Sequence, residues 1–288
     1  MAKVIEVKNL CYTYDGNAQI VKDAIHDISF TVKQGEIVGI IGHTGSGKST
    51  LVQHLNGLLR PASGEVIIDG RNIWDEPKKI KEGRFKVGLV FQYPEYQLFE
   101  ETVWDDIAFG PKNMGLTGEE LSSRISEICK VVDIKEEYFD KSPFDLSGGE
   151  KRRVAIAGVM AMRPQVLILD EPIAGLDPKG RRQIVDMVRQ YRRTYNATVL
   201  IISHNMEDMA LLADKLLVLN NGKLWTFDTV YNVFSKGEQL KEIGLNVPMV
   251  TNVLAALKEK NPDIRTDIFT LDEAVDYLCG VFAGDRDA

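Results

Sequence analysis

Four short stretches of this chain are apolar almost without interruption, and each ends at small, polar or charged residues. They are Ile37-Val38-Gly39-Ile40-Ile41, Val87-Gly88-Leu89-Val90-Phe91, Val166-Leu167-Ile168-Leu169 and Thr198-Val199-Leu200-Ile201-Ile202-Ser203. Runs of this length without alternation belong to strands buried on both faces, as in a parallel sheet covered by helices. Residues 3 to about 35 behave differently. Val4-Ile5-Glu6-Val7 and Ile28-Ser29-Phe30-Thr31-Val32 alternate apolar and polar, with turn residues Asp15-Gly16-Asn17 between them, so an antiparallel β subdomain is expected beside the sheet. From Pro94 to about Pro164 the period becomes helical, as in the stretch from Glu119 to Ile128. The basic residues Lys78, Lys79, Lys81, Arg84 and Lys86 read as a solvated loop before the Val87 strand. A hairpin is expected from Leu216 to Trp225, and about sixty residues lie beyond it. Among these, Val253 to Lys258 and Leu271 to Leu278 are amphipathic at helical spacing. Helices this short need a surface to cover.

The segments just after the apolar runs carry the chemistry. Gly42-His43-Thr44-Gly45-Ser46-Gly47-Lys48-Ser49-Thr50 fits the phosphate-loop template between a strand and a helix. Glycines let backbone N–H groups close around a β-phosphate, Lys48 neutralises the β and γ oxygens, and the Ser49 hydroxyl is a Mg²⁺ ligand. Asp170 is presented at the carboxyl end of the Val166 run, where open α/β sheets gather ligands, and is expected in the Mg²⁺ shell. Glu171, next to it, faces the opposite way on a strand-end backbone, which suits polarising an attacking water. His204 comes directly after the Thr198 run and ends beside the same phosphates, where an imidazole can hydrogen-bond the γ-phosphate. A further string, Leu146-Ser147-Gly148-Gly149-Glu150, lies about a hundred residues from the phosphate loop and opens a helix. It is a second anion-binding helix end, and one chain cannot easily fold both onto one ATP.

Together these strings resemble an ABC-type ATPase subunit, over residues from about 4 to 228, with Leu146 to Glu150 as the family's signature. The resemblance implies an α/β fold: a P-loop NTPase core with an antiparallel β subdomain, an inserted helical signature subdomain at about 94–164 and a C-terminal helical extension. The ATPase domain is then 1–228 and the extension 229–288. It implies ATP with Mg²⁺, and two such domains paired head to tail, so that Ser147, Gly148 and Gly149 of one close on the γ-phosphate held by the other. It matches Gln92 to the glutamine loop that reaches the metal and attacking water, Asp177 to an interface aspartate, and His204 to the switch histidine. Tyr14 corresponds to the aromatic residue that stacks adenine, with Tyr12 a close rival. Two positions depart from the family pattern: Glu150 stands where Gln is commoner, and Ile173 where Thr is commoner. Neither removes a phosphate ligand, so ATP binding should survive both.

The stretch from Tyr93 to Gly115, with Ser142 to Asp145 before the signature and Arg152 to Met162 after it, resembles the ATPases of energy-coupling-factor transporters, and the second of their two paired ATPases rather than the first. That implies a heterodimer with a paralogous ATPase, seating a membrane-embedded coupling protein that carries exchangeable substrate-binding membrane subunits, for uptake of vitamins or other micronutrients. The subunit would sit at the cytoplasmic face of the membrane. Rival readings are a dedicated cobalt or nickel importer, an ordinary importer, and a soluble ABC ATPase without membrane partner. Glu95, Glu100 and Glu101 surround Leu98 and Phe99, a composition suited to receiving an arginine-bearing helix, though a solvated acidic helix start has the same composition. The tail resembles the family's extension that holds the paired ATPases together; packing on this chain's own core fits its pattern equally well.

Composition narrows the alternatives. At 288 residues, 44% hydrophobic and 27% charged, the chain can bury one α/β core with satellites. It has no apolar stretch near the roughly 18 residues a membrane helix needs, and its first residues lack a secretory layout. Cys11, Cys129 and Cys279 show no metal spacing, as expected in a reducing cytosol. The net charge of −7 argues against a nucleic-acid partner.

Overall fold

The computed structural model describes residues 2–14 and 22–284. The turn expected at Asp15 to Asn17, and the acidic Asp285 and Asp287, lie outside the described residues. In chain order the elements are β1 (Lys3–Tyr14), β2 (Lys22–Lys33), β3 (Ile37–Ile41), α1 (Lys48–Leu55), β4 (Ser63–Ile68), β5 (Arg71–Asn72), α2 (Ile80–Lys86), β6 (Val87–Val90), α3 (Val103–Asn113), α4 (Gly118–Val131) and α5 (Gly148–Met160). They continue through β7 (Val166–Asp170), α6 (Pro178–Tyr195), β8 (Thr198–Ile202), α7 (Met206–Leu212), β9 (Lys215–Asn220), β10 (Lys223–Thr229), α8 (Val230–Phe234), α9 (Gly237–Glu242), α10 (Met249–Lys258) and α11 (Leu271–Gly284).

Two sheets form. β2-β1-β4-β5 is antiparallel, and the larger sheet runs β10-β9-β3-β8-β7-β6, parallel except for the hairpin partner β10. Every residue of β3 and β8 is buried, which is why those runs lack alternation. Ile40 lies opposite Ile202, and Ile202 opposite Asp170, so three adjacent strands deliver the chain to one edge in register. One apolar core fills the space between this sheet and helices α3 to α6, and a second lies between the sheet, α1 and the antiparallel sheet.

β1 and β2 run well past the short alternating runs because bulges break their alternation. Register shifts fall between Val7 and Leu10, where Asn9 and Asp27 both take left-handed backbones and the Asn9 amide donates to Asp27 at 2.7 Å. The basic stretch before β6 is not a loop but a 3₁₀ turn at Pro77–Lys79 followed by α2. Ile80 there packs so closely on Gly57 that a Cβ on the glycine would lie 2.8 Å from its methyl, and Arg84 donates to the Gly57 carbonyl at 3.0 Å. Two anchored side chains hold the helix while the lysines face water.

In the tail, Leu254, Ile264, Ile268 and Ala274 form a small core of their own, and Phe269 stacks near both Tyr231 and Phe234. Met249, Val253, Leu271, Val275 and Phe282 remain exposed. Among the described residues, no helix is long and apolar enough to cross a membrane.

Candidate active site

The phosphate loop leaves β3 and caps α1. Gly47, at the helix start, has φ 102°, and a Cβ there would come within 2.7 Å of the Ala24 carbonyl oxygen, so the loop needs glycine for both conformation and space. Gly42 is equally constrained, since a Cβ would lie 2.4 Å from Ser46 Oγ and 2.5 Å from the Leu219 carbonyl oxygen. Thr44, Gly45 and Ser49 are exposed, while Ser46, Lys48 and Thr50 are buried. The Lys48 ammonium donates to the carbonyls of Gly42 at 2.7 Å and His43 at 3.0 Å, folded over the loop it would extend from when phosphate arrives. Burial lowers its pKa, and the charges of Glu171 and Asp170 oppose that shift.

Asp170 and Glu171 take different partners. The Asp170 carboxyl is raised by burial, against the pull of Lys48 and of a hydrogen bond from the Ser49 side chain. A carboxylate and a hydroxyl in direct contact form a hard oxygen donor set that fits Mg²⁺ with its retained waters. Glu171 turns away through a left-handed backbone at φ 51°, with its N–H bonded to the Ile202 carbonyl at 3.0 Å. The expected divergence of the two carboxylates therefore comes from this turn, a costly conformation for a non-glycine residue, rather than from strand alternation. Glu171 is buried, and burial first, then the Asp170 charge, push its pKa up to about 7. His204 Nε2 lies 3.1 Å from Glu171 Oε1. Burial, then the Lys48 charge, lower the His204 pKa, which favours the neutral imidazole in this contact.

Gln92, Glu171, Ser203 and His204 line one cavity of about 910 Å³, whose far wall is built by Asn246, Met249 and Asn252 of the tail. No motif pointed to this tail contribution. Tyr14 is 41% exposed and its hydroxyl lies 3.2 Å from the Thr50 hydroxyl, whereas Tyr12 is half-buried, edge-on to both Tyr14 and His54. The geometry favours Tyr14 as the open aromatic face.

The signature lies elsewhere. Ser147 caps α5 in a reciprocal box with Glu150, and Asp177 caps α6 by accepting from the Gly180 N–H at 2.7 Å. Ser147, Gly149 and Asp177 line a separate cavity of about 390 Å³. Beyond its chain neighbours and its own helix backbone, a methyl group placed on Gly148 or Gly149 would meet no atom of the described residues within 4 Å, so packing against the rest of this chain does not require glycine at either position. The two departures also find places: Glu150 closes the box, and Ile173 is buried in the larger core.

Glu95 departs from expectation. It is not free to receive an external arginine, because Arg152 of α5 grips it with two bonds, Nε to Oε2 at 3.0 Å and Nη2 to Oε1 at 2.8 Å. Burial works to raise the Glu95 carboxyl, but the guanidinium outweighs it and holds the pKa low. Arg152 also donates to the carbonyls of Pro172 and Ala174, just past Glu171. Leu98 is buried too, leaving Phe99 exposed against Phe109 beside a groove of about 460 Å³ that includes Leu89, Asp106, Val159 and Met162.

Residues 25–174 match the ABC transporter family. The chain is 49% identical to the energy-coupling factor transporter ATP-binding protein EcfA2 of Caldanaerobacter subterraneus subsp. tengcongensis, covering 98% of this chain and 99% of that protein. It is 51% identical to the protein of the same name from Clostridium tetani, covering 96% and 97%. Among solved structures, cbiO1 from Clostridium perfringens, part of the ABC transporter complex cbiONQ, superposes with TM-score 0.74 at 37% identity over 84% of this chain and 94% of that one. A dimeric ATP-binding cassette in a post-hydrolysis state, bound to ADP and Pi, superposes with TM-score 0.70 at 27% identity over 78% and 98%. With a phosphate loop, an aspartate–glutamate pair and a histidine on one sheet edge and a separate capped signature, the chain belongs to the ABC transporter family and, within it, to the ATP-binding proteins of energy-coupling factor transporters.

Proposed function

We propose that this chain binds and hydrolyses ATP at two half-sites shared with a second, paralogous ATPase, and so drives a membrane-embedded coupling protein that carries exchangeable substrate-binding subunits for vitamins or other micronutrients. The segregation of the site supports this reading. Lys48, Asp170, Glu171 and His204 meet at one edge, while Gly148 and Gly149 stand open with no internal demand for glycine. Backbone kept bare on a helix start fits close approach by a phosphate that another chain holds.

Each nucleotide then lies between Gly42 to Thr50, with adenine on Tyr14, and the partner's signature. Ser49, Asp170 and Gln92 would hold Mg²⁺, which when bound neutralises charge on the β and γ oxygens. Water attacks the γ-phosphorus, the bond to the β–γ bridging oxygen breaks, and Glu171 takes the water's proton while His204 supports the γ-phosphate. A pKa near 7 in the resting site suits that exchange. The signature contacts exist only with a triphosphate present, so they are the differential term that closes the pair. The groove beside Phe99 and Phe109, adjoining the Gln92 segment, would seat the coupling protein from the cytoplasmic side. The assembly should separate binding from chemistry: Glu171→Gln in the purified complex lowers ATP turnover at least about 100-fold while ATP binding persists. Unchanged turnover, or a lone monomer as fast as the complex, would refute the reading.

A further inference from the structure

Ser147 offers two donors to whatever approaches the signature, its backbone N–H and its hydroxyl, and both are already taken by one atom. Glu150 Oε2 accepts the Ser147 hydroxyl at 2.6 Å and the Ser147 N–H at 2.9 Å, while the Glu150 N–H reaches the Ser147 oxygen at 3.4 Å. The Tyr138 hydroxyl adds a further hydrogen bond to the same carboxylate. A serine hydroxyl has one proton, so it cannot serve Glu150 and a phosphate oxygen together. Whatever takes it must also rest near a formal negative charge, which Arg153 nearby and Lys179 in the same cavity offset only in part.

We propose that Glu150 gates this signature: its carboxylate holds the Ser147 donors in the open state and repels the incoming triphosphate, so this half-site engages ATP more reluctantly than one carrying an amide at position 150. The proposal rests on the reading that Ser147 contacts a triphosphate held by the partner chain. It gives the acidic residue at this position a function beyond capping, because Gln would keep the same reciprocal box without the charge. Glu150 is thus a positioning residue, acting on the nucleotide through Ser147 at the composite site this signature completes.

The test compares Glu150 with Glu150→Gln in the full complex, with Glu171→Gln present in both so that ATP is held uncleaved. Half-saturating ATP for the site that includes this signature should fall about three- to tenfold at low ionic strength, and the gain should shrink as salt screens the charge. A purely structural cap would show neither effect. Unchanged or weaker ATP binding in Glu150→Gln overturns the gate, as does a gain that salt leaves undiminished. Ser147→Ala in the same complex isolates the underlying reading: if ATP binding ignores that change, the shared site itself is wrong, whereas a loss with Ser147→Ala and no gain with Glu150→Gln refutes the gate alone.

Discussion

His54 is fully buried on α1, donating from Nδ1 to the Thr50 carbonyl at 2.7 Å and stacked edge-on with Tyr12. Burial holds its pKa below the ordinary 6.5, against the pull of the Thr50 and Arg60 carbonyls. Below that pH the unfolded chain takes up a proton that the folded chain resists. The stability due to a neutral His54 is therefore complete above pH 6.5 and is lost as pH falls through the folded value. His54→Gln should destabilise the protein at pH 7.5 through lost packing, but the gap to wild type should narrow as the pH is lowered from 7.5 to 5, read from denaturant melts at both pH values. A constant gap would mean that the imidazole does not titrate with folding. At this scale much was legible. Asp170, Glu171 and His204 each stand where an apolar run stops, and topology then brings those ends together. The Glu95–Arg152 pair was not, because its partners are 57 residues apart and isolated charges in a sequence look solvated.

That pair matters most between elements. Arg152 ties α5, and so the signature, to the 3₁₀ turn at Pro94–Gln97 and to the loop after Glu171, with its side chain 6% exposed. Removing one member leaves a buried guanidinium partly unpaired. Glu95→Ala is expected to cost about 3 kcal/mol, more than Glu95→Gln, which retains an acceptor. Thermal unfolding of the two variants checks the order, and equal losses would place the effect in packing rather than charge. The parallel strands were readable because burial on both faces leaves a continuous apolar signature. α2 was missed because its two anchors are outnumbered by lysines, and the lengths of β1 and β2 were missed because bulges shift the alternation that reveals a strand.

Across the whole molecule, the tail has a core of its own and an apolar face that nothing among the described residues covers, with Met249 at 72% and Leu271 at 70% exposure. If that face meets the second ATPase, Val253→Asp with Val275→Asp should weaken pairing at least about tenfold without lowering the melting temperature of the separate chain, because neither position supports the internal core. Mass measurement of the intact complex across a dilution series reads the first quantity and calorimetry the second. Pattern alone could not decide between internal packing and a partner because one face of these helices packs internally and the other is exposed, and a sequence shows apolar faces without showing what covers them. The Met249 N–H also donates to Glu207 at 2.9 Å, next to the histidine loop, and the residues around it close one flank of the chamber holding Glu171. A polypeptide shortened ahead of Asn246 would therefore lose more than an apolar face: the cavity holding Glu171 and His204 would gape on one side, and rates taken from such a fragment would describe a wetter enzyme than one that keeps its tail.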